Sequence, residues 1–162
     1  MRVLRHFFAP SAQRLFPAAT MDRIADAVAD GERRHSGQVC FAVEPALHWG
    51  AVLRGTSPRQ AAEDAFARLR VWDTEANNGV LLYLLLADRR IEIVADRGLR
   101  GHVDDAHWRA ICERMEGGLR NGDPEAAVVG AVGAISDLLA HAFPATGDRS
   151  AGNELPDRPS IL

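Results

Sequence analysis

Oxygen-bearing side chains are concentrated in two short stretches, residues 73–78 and 96–105. Carboxylate and amide oxygens are the ligands that calcium and magnesium prefer in proteins. An arginine beside a helix N-terminus could instead hold a phosphate. The sequence therefore indicates either a divalent-cation site, with Ca²⁺ or Mg²⁺ as cofactor, or a phosphate site. The candidate residues are Asp73, Glu75, Asn77, Asn78, Asp96, Arg97, Asp104 and Asp105.

The same residues have ordinary structural roles as an alternative. Asp73 and Glu75 could simply be solvated, and Asn78-Gly79 could form a turn. Asp104 or Asp105 could cap a helix, because aspartate oxygens accept hydrogen bonds from the first backbone amides of a helix. Spacing does not choose between these roles and a ligand site, so both interpretations stay open.

Other kinds of catalytic site are disfavoured by spacing and context. His102 and His107 lie five residues apart, whereas zinc-binding histidine pairs on one helix prefer a spacing of four. No serine lies in a nucleophile-elbow motif, and no phosphate-binding glycine loop follows a predicted strand. Cys40 and Cys112 both lie in apolar runs, which predicts small buried hydrophobes rather than nucleophiles. The catalytic residues, if any, are unknown from the sequence.

The element that positions the two stretches is the apolar run of residues 80–86. A strand that is apolar at every residue is one covered on both faces. Asp88-Arg89 interrupts the run, and residues 91–95 then alternate, which predicts a turn and an antiparallel neighbour. The two oxygen-bearing stretches flank this hairpin. We expect their loops to gather at the end of the sheet where α/β proteins bind ligands, and Asp88-Arg89 to lie at the opposite end.

Helical and extended patterns on both sides of the hairpin complete the fold. A predicted strand, a capped helix and the central strand come in that order, which is typical of parallel strands joined by a crossover. Helices before and after them would cover both faces of the sheet. The sequence thus predicts a three-layer α/β/α sandwich with a mixed sheet that contains a β-hairpin. The predicted helices begin near Thr20, Ser57, Asp104 or Asp105, and Asp123, and the first strand covers residues 38–44.

Composition limits the class of protein. The chain has 162 residues, 47% of them hydrophobic and 25% charged, as in ordinary globular domains. A net charge of -3 argues against a nucleic-acid-binding protein, which would carry a basic face. The N-terminus has no uninterrupted apolar segment of the secretory type, and we expect no segment to be long and apolar enough to span a bilayer. We therefore expect a cytoplasmic protein with no transmembrane segment.

The two ends of the chain differ from its middle, residues 17–144, where we place the folded domain. Residues 1–16 form an arm in which Val3, Leu4, Phe7 and Phe8 alternate with arginines, an amphipathic pattern. This arm could bind an anionic membrane surface, bind a protein partner, or dock on its own domain. Residues 145–162 are rich in Pro, Gly, Ser, Asp and Arg, which predicts a disordered tail.

The motifs of the hairpin resemble those of the TPM domain, a family named from a thylakoid-lumen phosphatase-like protein, a photosystem II repair protein and a nematode receptor modulator. The resemblance covers residues 20–143. It implies an α/β/α sandwich, with phosphatase-like activity in some branches and calcium binding or accessory roles in membrane-protein maintenance in others. It rests on Asn78-Gly79-Val80-Leu81-Leu82, Ala87-Asp88-Arg89-Arg90-Ile91, Gly98-Leu99, Asp105 and Gly122-Asp123.

The chain departs from the family pattern at three places. Phe16-Pro17-Ala18-Ala19-Thr20 replaces an acidic residue, Asn77 replaces an aspartate, and Asp96-Arg97-Gly98 replaces Gly-Tyr-Gly. Two carboxylates of the family pattern are therefore missing and one is gained, which favours a binding role over phosphatase chemistry. The predicted site residues are Asn78, Gly79, Arg97 and Gly98 for ligand binding, and Asp73, Asn77, Asp96 and Asp105 for the metal.

Two functions follow as hypotheses from these observations. The first is a short bacterial TPM-domain module that is not catalytic, serves as a binding or accessory protein in membrane-protein maintenance, and lies peripherally at the inner membrane through its N-terminal arm. The alternative is an acid-phosphatase-like phosphomonoesterase that depends on a divalent metal.

Overall fold

A computed structural model describes residues 1–146 and 153–162 of the chain, and this part contains helices on both faces of one four-stranded sheet. In chain order the elements are α1 (Arg2–Phe7), α2 (Ala12–Leu15), α3 (Ala18–Glu32), β1 (Gln38–Glu44), α4 (Trp49–Leu53), α5 (Pro58–Arg68), β2 (Gly79–Leu85), β3 (Arg90–Ala95), a 3₁₀ turn (Arg97–Leu99), α6 (Asp105–Arg120), α7 (Pro124–Ala142) and β4 (Ser160–Ile161). The connection between β1 and α5 contains a short helix, Trp49–Leu53.

The sheet is mixed, with the strand order β3-β2-β1-β4. Strands β1 and β2 are parallel, with Gln38 opposite Gly79 and Glu44 opposite Leu85. Strand β3 returns antiparallel to β2, as the hairpin pattern predicted. The carboxyl ends of β1 and β2 therefore share one edge of the sheet, and their amino ends share the other edge with the end of β3.

Strand β2 is enclosed along its whole length. Its side chains from Val80 to Leu85 are all no more than 1% exposed, which confirms the prediction of a strand covered on both faces. Alternate residues point to opposite faces, so the strand contributes to two separate cores. Burial of each large aliphatic side chain contributes about 1.5–3 kcal/mol. The three-layer sandwich predicted from the sequence is confirmed.

The two cores have different compositions. Helices α3, α6 and α7 cover one face, where Leu82 and Leu84 pack with Phe41, Ile135 and other large apolar side chains. The opposite face is covered by α4 and α5 and is built largely from small residues. That second core contains Cys40, Ala42, Leu47, Val52, Ala61, Ala62, Ala65, Val71, Leu81, Tyr83, Leu85, Val94 and Leu155.

Helix α7 has the length and apolar composition of a membrane-spanning helix, so the expectation that no segment would reach that length is wrong. Within the described residues it is the one helix that passes this test, and it has 19 residues. In this fold it packs between α3 and α6 and buries Val128, Ile135 and Leu139. A central helix of a core satisfies the same criterion because it is apolar over much of its circumference.

The C-terminal segment is ordered where the structure describes it, so the prediction of a disordered tail is wrong for residues 153–162. Ser160–Ile161 pairs with β1 as a parallel edge strand, and Leu155 is 7% exposed. The side-chain oxygen of Gln38 accepts hydrogen bonds from the backbone amides of Glu154 and Leu155 at 3.2 and 3.0 Å. The rest of the predicted tail includes residues 147–152, which lie outside the described residues.

A partly buried carboxyl group lies beside this segment. Glu32 Oε1 accepts a hydrogen bond from the backbone amide of Val39 at 3.0 Å. Burial raises the pKa of Glu32 to about 8, and the backbone bond from Val39 opposes this rise while the nearby Asp157 carboxyl adds to it. Glu32 is therefore protonated in the folded chain at neutral pH.

Replacing Glu32 with Gln should raise stability above neutral pH. Below the ordinary glutamate pKa, near 4.5, both states of the wild type are protonated and nothing is lost. Between that value and about 8, only the folded state retains the proton, so the free energy of unfolding falls as pH rises. Chemical denaturation at pH 5 and pH 9 should show a decline of about 4 kcal/mol that is absent in Glu32→Gln. Asp26→Asn, an exposed change on the same helix, is the control, and an equal decline in Glu32→Gln would contradict the assignment.

Candidate functional site

The two oxygen-bearing stretches lie together at the amino end of the parallel strands, not at the carboxyl end. Residues 73–78 precede β2, and residues 96–105 follow the antiparallel strand β3, so both reach the same edge. The backbone amide of Asp96 donates to the carbonyl of Gly79 at 2.9 Å across this edge. The prediction that the stretches meet is confirmed, but the end of the sheet at which α/β proteins usually bind ligands is the opposite one.

Three of the four predicted metal ligands have protein partners at this edge. Asp73 forms a salt bridge with Arg70 at 2.5 Å. Asn77 Oδ1 accepts a hydrogen bond from Arg97 Nε at 3.1 Å. Asp96 Oδ1 caps the 3₁₀ turn by accepting from the backbone amide of Arg97 at 2.7 Å. These contacts are of the ordinary structural kind that the sequence left open as the alternative to a metal site. Asp73 and Asn77 bind arginines, and Asp96 caps a turn.

The remaining candidates do not converge on them. Asp104 is the N-cap of α6 without a side-chain capping bond, and Asp105 lies in a groove beside Trp108 and Arg109. The backbone amide of Glu75 donates to Glu154 Oε2 at 2.9 Å. Within residues 1–146 and 153–162, no three His, Cys, Asp or Glu side chains are grouped as metal ligands would be. The set Asp73, Asn77, Asp96 and Asp105 therefore stays a prediction.

The amide of Asn78 holds the loops of this edge together. The residue is fully buried, and its Nδ2 donates to the carbonyl of Ser36 at 3.2 Å. Its backbone amide donates to Thr74 Oγ1 at 3.1 Å. The side chain therefore joins the start of β2 to the loop that enters β1, a contact made by residues 42 positions apart.

Gly79 and Gly98 allow backbone segments to approach closely. A Cβ on Gly79 would lie 2.1 Å from the carbonyl oxygen of Val71. A Cβ on Gly98 would lie 2.5 Å from the carbonyl oxygens of both Ala76 and Asn77. The amide of Gly98 also donates to the carbonyl of Asn77 at 2.8 Å. Close backbone approach thus explains why glycine is needed at positions 79 and 98. The predicted role of these two glycines in ligand binding stays a prediction.

The two cysteines lie in apolar surroundings, and His102, which belongs to the second oxygen-bearing stretch, is exposed and packs on an aromatic ring. Burial raises the pKa of the Cys40 thiol to about 12 and that of Cys112 to about 11. Neither thiol is therefore a thiolate nucleophile at neutral pH. His102 packs against Phe143, with the ring centroids 5.3 Å apart. Cys40 is buried, as the sequence predicted, whereas Cys112 is only partly buried.

A second surface lies at the opposite edge, around the carboxyl ends of β1 and β2, and it is built around α1. Helix α1 buries only His6 and leaves its apolar side chains in solvent. Phe7 is 82% exposed and Phe8 is 75% exposed. An amphipathic helix ordinarily turns its apolar face toward the core. Helix α1 has the reversed orientation, with its apolar side chains toward solvent.

Asp88 holds α1 in this reversed orientation. Arg2 Nη2 and Nε donate to Asp88 Oδ2 at 2.6 and 3.0 Å, and His6 Nε2 lies 3.3 Å from Oδ1. The backbone amide of Leu47 donates to His6 Nδ1 at 3.0 Å, which places the proton of a neutral ring on Nε2. Burial raises the pKa of Asp88, but the hydrogen bond and charge of Arg2 outweigh it, so the net pKa is lowered. Asp88 lies in the predicted turn and also anchors the arm.

Helix α4 extends the exposed apolar area because it packs against α1. We call this area the α1–α4 surface. No aspartate or glutamate occurs in residues 1–21 or 45–62, which together carry five arginines, although the whole chain has a net charge of -3. This local absence of acidic residues was visible in the sequence and could have indicated the surface. Its exposed apolar residues are Met1, Val3, Leu4, Phe7, Phe8, Trp49 and Leu53.

The part of the arm that follows α1 docks on the folded domain. Ala12 is fully buried and Phe16 is 1% exposed, with the Phe16 ring 5.6 Å from that of Phe41. The second half of the arm is thus part of the main core. Removal of residues 1–16 would therefore open the core as well as remove the apolar surface, and point substitutions are the cleaner test of that surface.

Substitution of Gly98 by Ala should destabilise the fold and displace the loop of residues 73–78. The added Cβ would meet two carbonyl oxygens at 2.5 Å, and neither belongs to a flexible side chain. We expect a loss of about 1–3 kcal/mol in urea denaturation. Gly117→Ala is the matched control because its added Cβ meets no atom within 4 Å, and it should gain about 0.5–1 kcal/mol. Equal stability of the two variants would contradict the close approach at Gly98.

Comparisons with known proteins agree with this geometry. A search of curated proteins gives no match. Among solved structures, the NMR structure of BA42 protein from the psychrophilic bacterium Bizionia argentinensis is similar, with a TM-score of 0.80 and 24% identity. The match covers 94% of this chain and 99% of that one, which shows a shared fold. The family model of the TPM domain matches residues 11–138. The chain therefore belongs to the TPM domain family.

Proposed function

We propose that this TPM-domain protein is a non-catalytic accessory module that attaches peripherally to the cytoplasmic face of the inner membrane, where it serves membrane-protein maintenance. The observation that carries the proposal is the α1–α4 surface, on which large apolar side chains are fixed in solvent by polar contacts to Asp88. Contiguous exposed apolar side chains on a soluble domain mark an interaction site.

The composition of the surface supports a lipid interface as the partner. Aromatic side chains such as Phe7, Phe8 and Trp49 are suited to the boundary between headgroups and acyl chains. The segments that carry them contain arginines and no acidic residue. Each such cation near an anionic leaflet contributes about 1 kcal/mol of attraction. Apolar insertion and charge attraction therefore act on the same face of the protein.

The arrangement at the predicted acidic site supports the absence of catalysis. Asp73 and Asn77 are engaged by Arg70 and Arg97, and Asp96 caps a turn. Phosphoryl transfer needs charge stabilisation from a metal ion or from converging cations. Within the described residues no group of three metal-ligating side chains supplies the first of these.

Flotation with lipid vesicles tests the proposal. The full chain should float with vesicles that contain about 30% anionic phospholipid, float less with zwitterionic vesicles, and be released by salt. The double variant Phe7→Ser/Trp49→Ser should bind at least tenfold more weakly, because burial of each ring contributes about 1.5–3 kcal/mol. Trp72→Ser, a change at a half-exposed tryptophan outside the α1–α4 surface, is the control and should float like the wild type.

Two outcomes would overturn this assignment. If the wild type stays in the unbound fraction with every vesicle composition, the membrane is excluded as the partner of this surface. Equal flotation of the wild type and the Phe7→Ser/Trp49→Ser variant would show that another surface is used. If the wild type does not bind vesicles but binds a protein that the Phe7→Ser/Trp49→Ser variant does not bind, the partner of this surface is that protein.

A metal-dependent phosphomonoesterase is the second candidate, and one observation favours it. Asp96 Oδ2 and Asn78 Oδ1 are buried acceptor oxygens with no hydrogen-bond partner among the described residues. Buried acceptors in native proteins are usually satisfied by a donor, a water or an ion. Both oxygens belong to the stretches in which the sequence predicted Ca²⁺ or Mg²⁺, and a cation bound by either would be the starting point for phosphatase chemistry.

Metal titration separates the two candidates. We expect no saturable change in melting temperature with millimolar Ca²⁺ or Mg²⁺, and no metal-dependent hydrolysis of a generic phosphomonoester. A saturable shift that is lost in Asp96→Asn or Asp105→Asn and kept in Asp26→Asn would establish the metal site. Hydrolysis that falls at least tenfold in Arg97→Ala or Asp105→Asn would overturn the non-catalytic proposal.

A further inference from the structure

A groove opens at the carboxyl edge of β1 and β2, beside the α1–α4 surface. It consists of two adjoining cavities of about 560 and 580 Å³, which share Pro10, Leu86 and Arg89 in their linings. Small-molecule sites have volumes of roughly 300–1,000 Å³. In open α/β sheets, ligands bind outside the carboxyl ends of the strands. The groove therefore has the size and the position of a ligand site.

The interior of the groove is apolar. Leu84 and Leu86 form its inner wall and are 1% and 8% exposed, while Leu15 and Leu119 are partly exposed beside them. The first cavity continues the same apolar lining past Met1, Leu4 and Phe8 of the arm. The two cavities adjoin, because Pro10, Leu86 and Arg89 line both of them. An extended hydrocarbon chain fits such a lining better than a compact polar ligand does.

The rim of the groove is cationic. Arg5 and Arg89 are exposed, and neither forms an ion pair among the described residues. Arg120 contacts Glu116 at 3.5 Å, yet its side chain is 75% exposed. The other nearby carboxylate, Asp88, is already bound by Arg2. The charge left at the mouth of the groove is therefore positive, and it complements an anionic head group.

We propose that this groove binds one medium-chain fatty acid, with its acyl chain along Leu84, Leu86 and Leu119 and its carboxylate between Arg89 and Arg120. The groove borders the membrane contact proposed above and shares Met1, Leu4 and Phe8 with it, but Phe7 and Trp49 do not line the groove. Arginine guanidinium groups bind a carboxylate through two parallel hydrogen bonds. The ligand needs no bilayer, so its binding is measured in solution without vesicles.

Titration calorimetry with fatty acids of eight, ten and twelve carbons, each below its micelle concentration, tests the site. Binding should saturate at one ligand per chain, and affinity should rise about fourfold for each added methylene while the groove still has room. Dodecanol, which has the same chain and no charge, should bind at least tenfold more weakly than laurate. Binding of dodecyltrimethylammonium as tightly as laurate, or affinity independent of chain length, would overturn the proposal.

Variants locate the bound ligand. Arg89→Gln/Arg120→Gln should weaken laurate binding at least tenfold, and Leu119→Trp should abolish it by filling the groove. Arg114→Gln, an exposed arginine on the same helix as Arg120, is the matched control and should bind laurate like the wild type. Should Leu119→Trp fail to fold, the arginine pair decides the question. Unchanged laurate affinity in the arginine pair would overturn the assignment.

The membrane proposal and the fatty-acid proposal fail in different ways. Phe7→Ser/Trp49→Ser should lose vesicle flotation and retain the laurate affinity of the wild type. If this variant loses both, the laurate is bound by the exposed surface, and the groove assignment is wrong. If the wild type does not float but binds laurate in one saturable site, the groove stands and the membrane contact does not.

Discussion

Enclosure of strand β2 is the constraint on which the rest of this structure depends. Its side chains from Val80 to Leu85 are removed from water on both faces, so helices must lie above and below it. The parallel pairing with β1 and the antiparallel return of β3 then determine which loops share an edge. The acidic loops lie at one edge, and the arm, α4 and the β2–β3 turn lie at the other. The directions of these strands therefore determine which candidate binding residues lie at each edge of the sheet.

Most of the fold was predictable because its signals are local. The capping box at Ser57 and Gln60 is present, and the apolar run before Asp88-Arg89 forms the enclosed strand and its turn. The edge strand Ser160–Ile161 was missed because two residues cannot show a periodic pattern. Its pairing depends on Gln38, more than a hundred positions earlier, whose side chain binds the backbone at Glu154 and Leu155. Such a contact has no signature in the segment itself.

The candidate site shows the limit of the same reasoning. Sequence order correctly brought residues 73–78 and 96–105 together, but oxygen atoms that could bind a metal can instead be bound by neighbouring arginines. Arg70 binds Asp73, and Arg97 binds Asn77, and neither contact follows from residue type alone. The arm posed the opposite difficulty. Its periodicity indicated a helix, but only the contact of Arg2 with Asp88, 86 positions away, determines that the apolar side faces outward.

This reversed attachment has a consequence for kinetics. A helix held by its hydrophobic face must detach before it can offer that face to another phase, and the detachment would slow each encounter. Helix α1 is held by Arg2 and His6 instead, so its phenylalanine rings are already presented while the anchor remains closed. In the proposed membrane attachment, adsorption would therefore require no local unfolding, and arrival and departure would be limited by collision and by the strength of the contact alone.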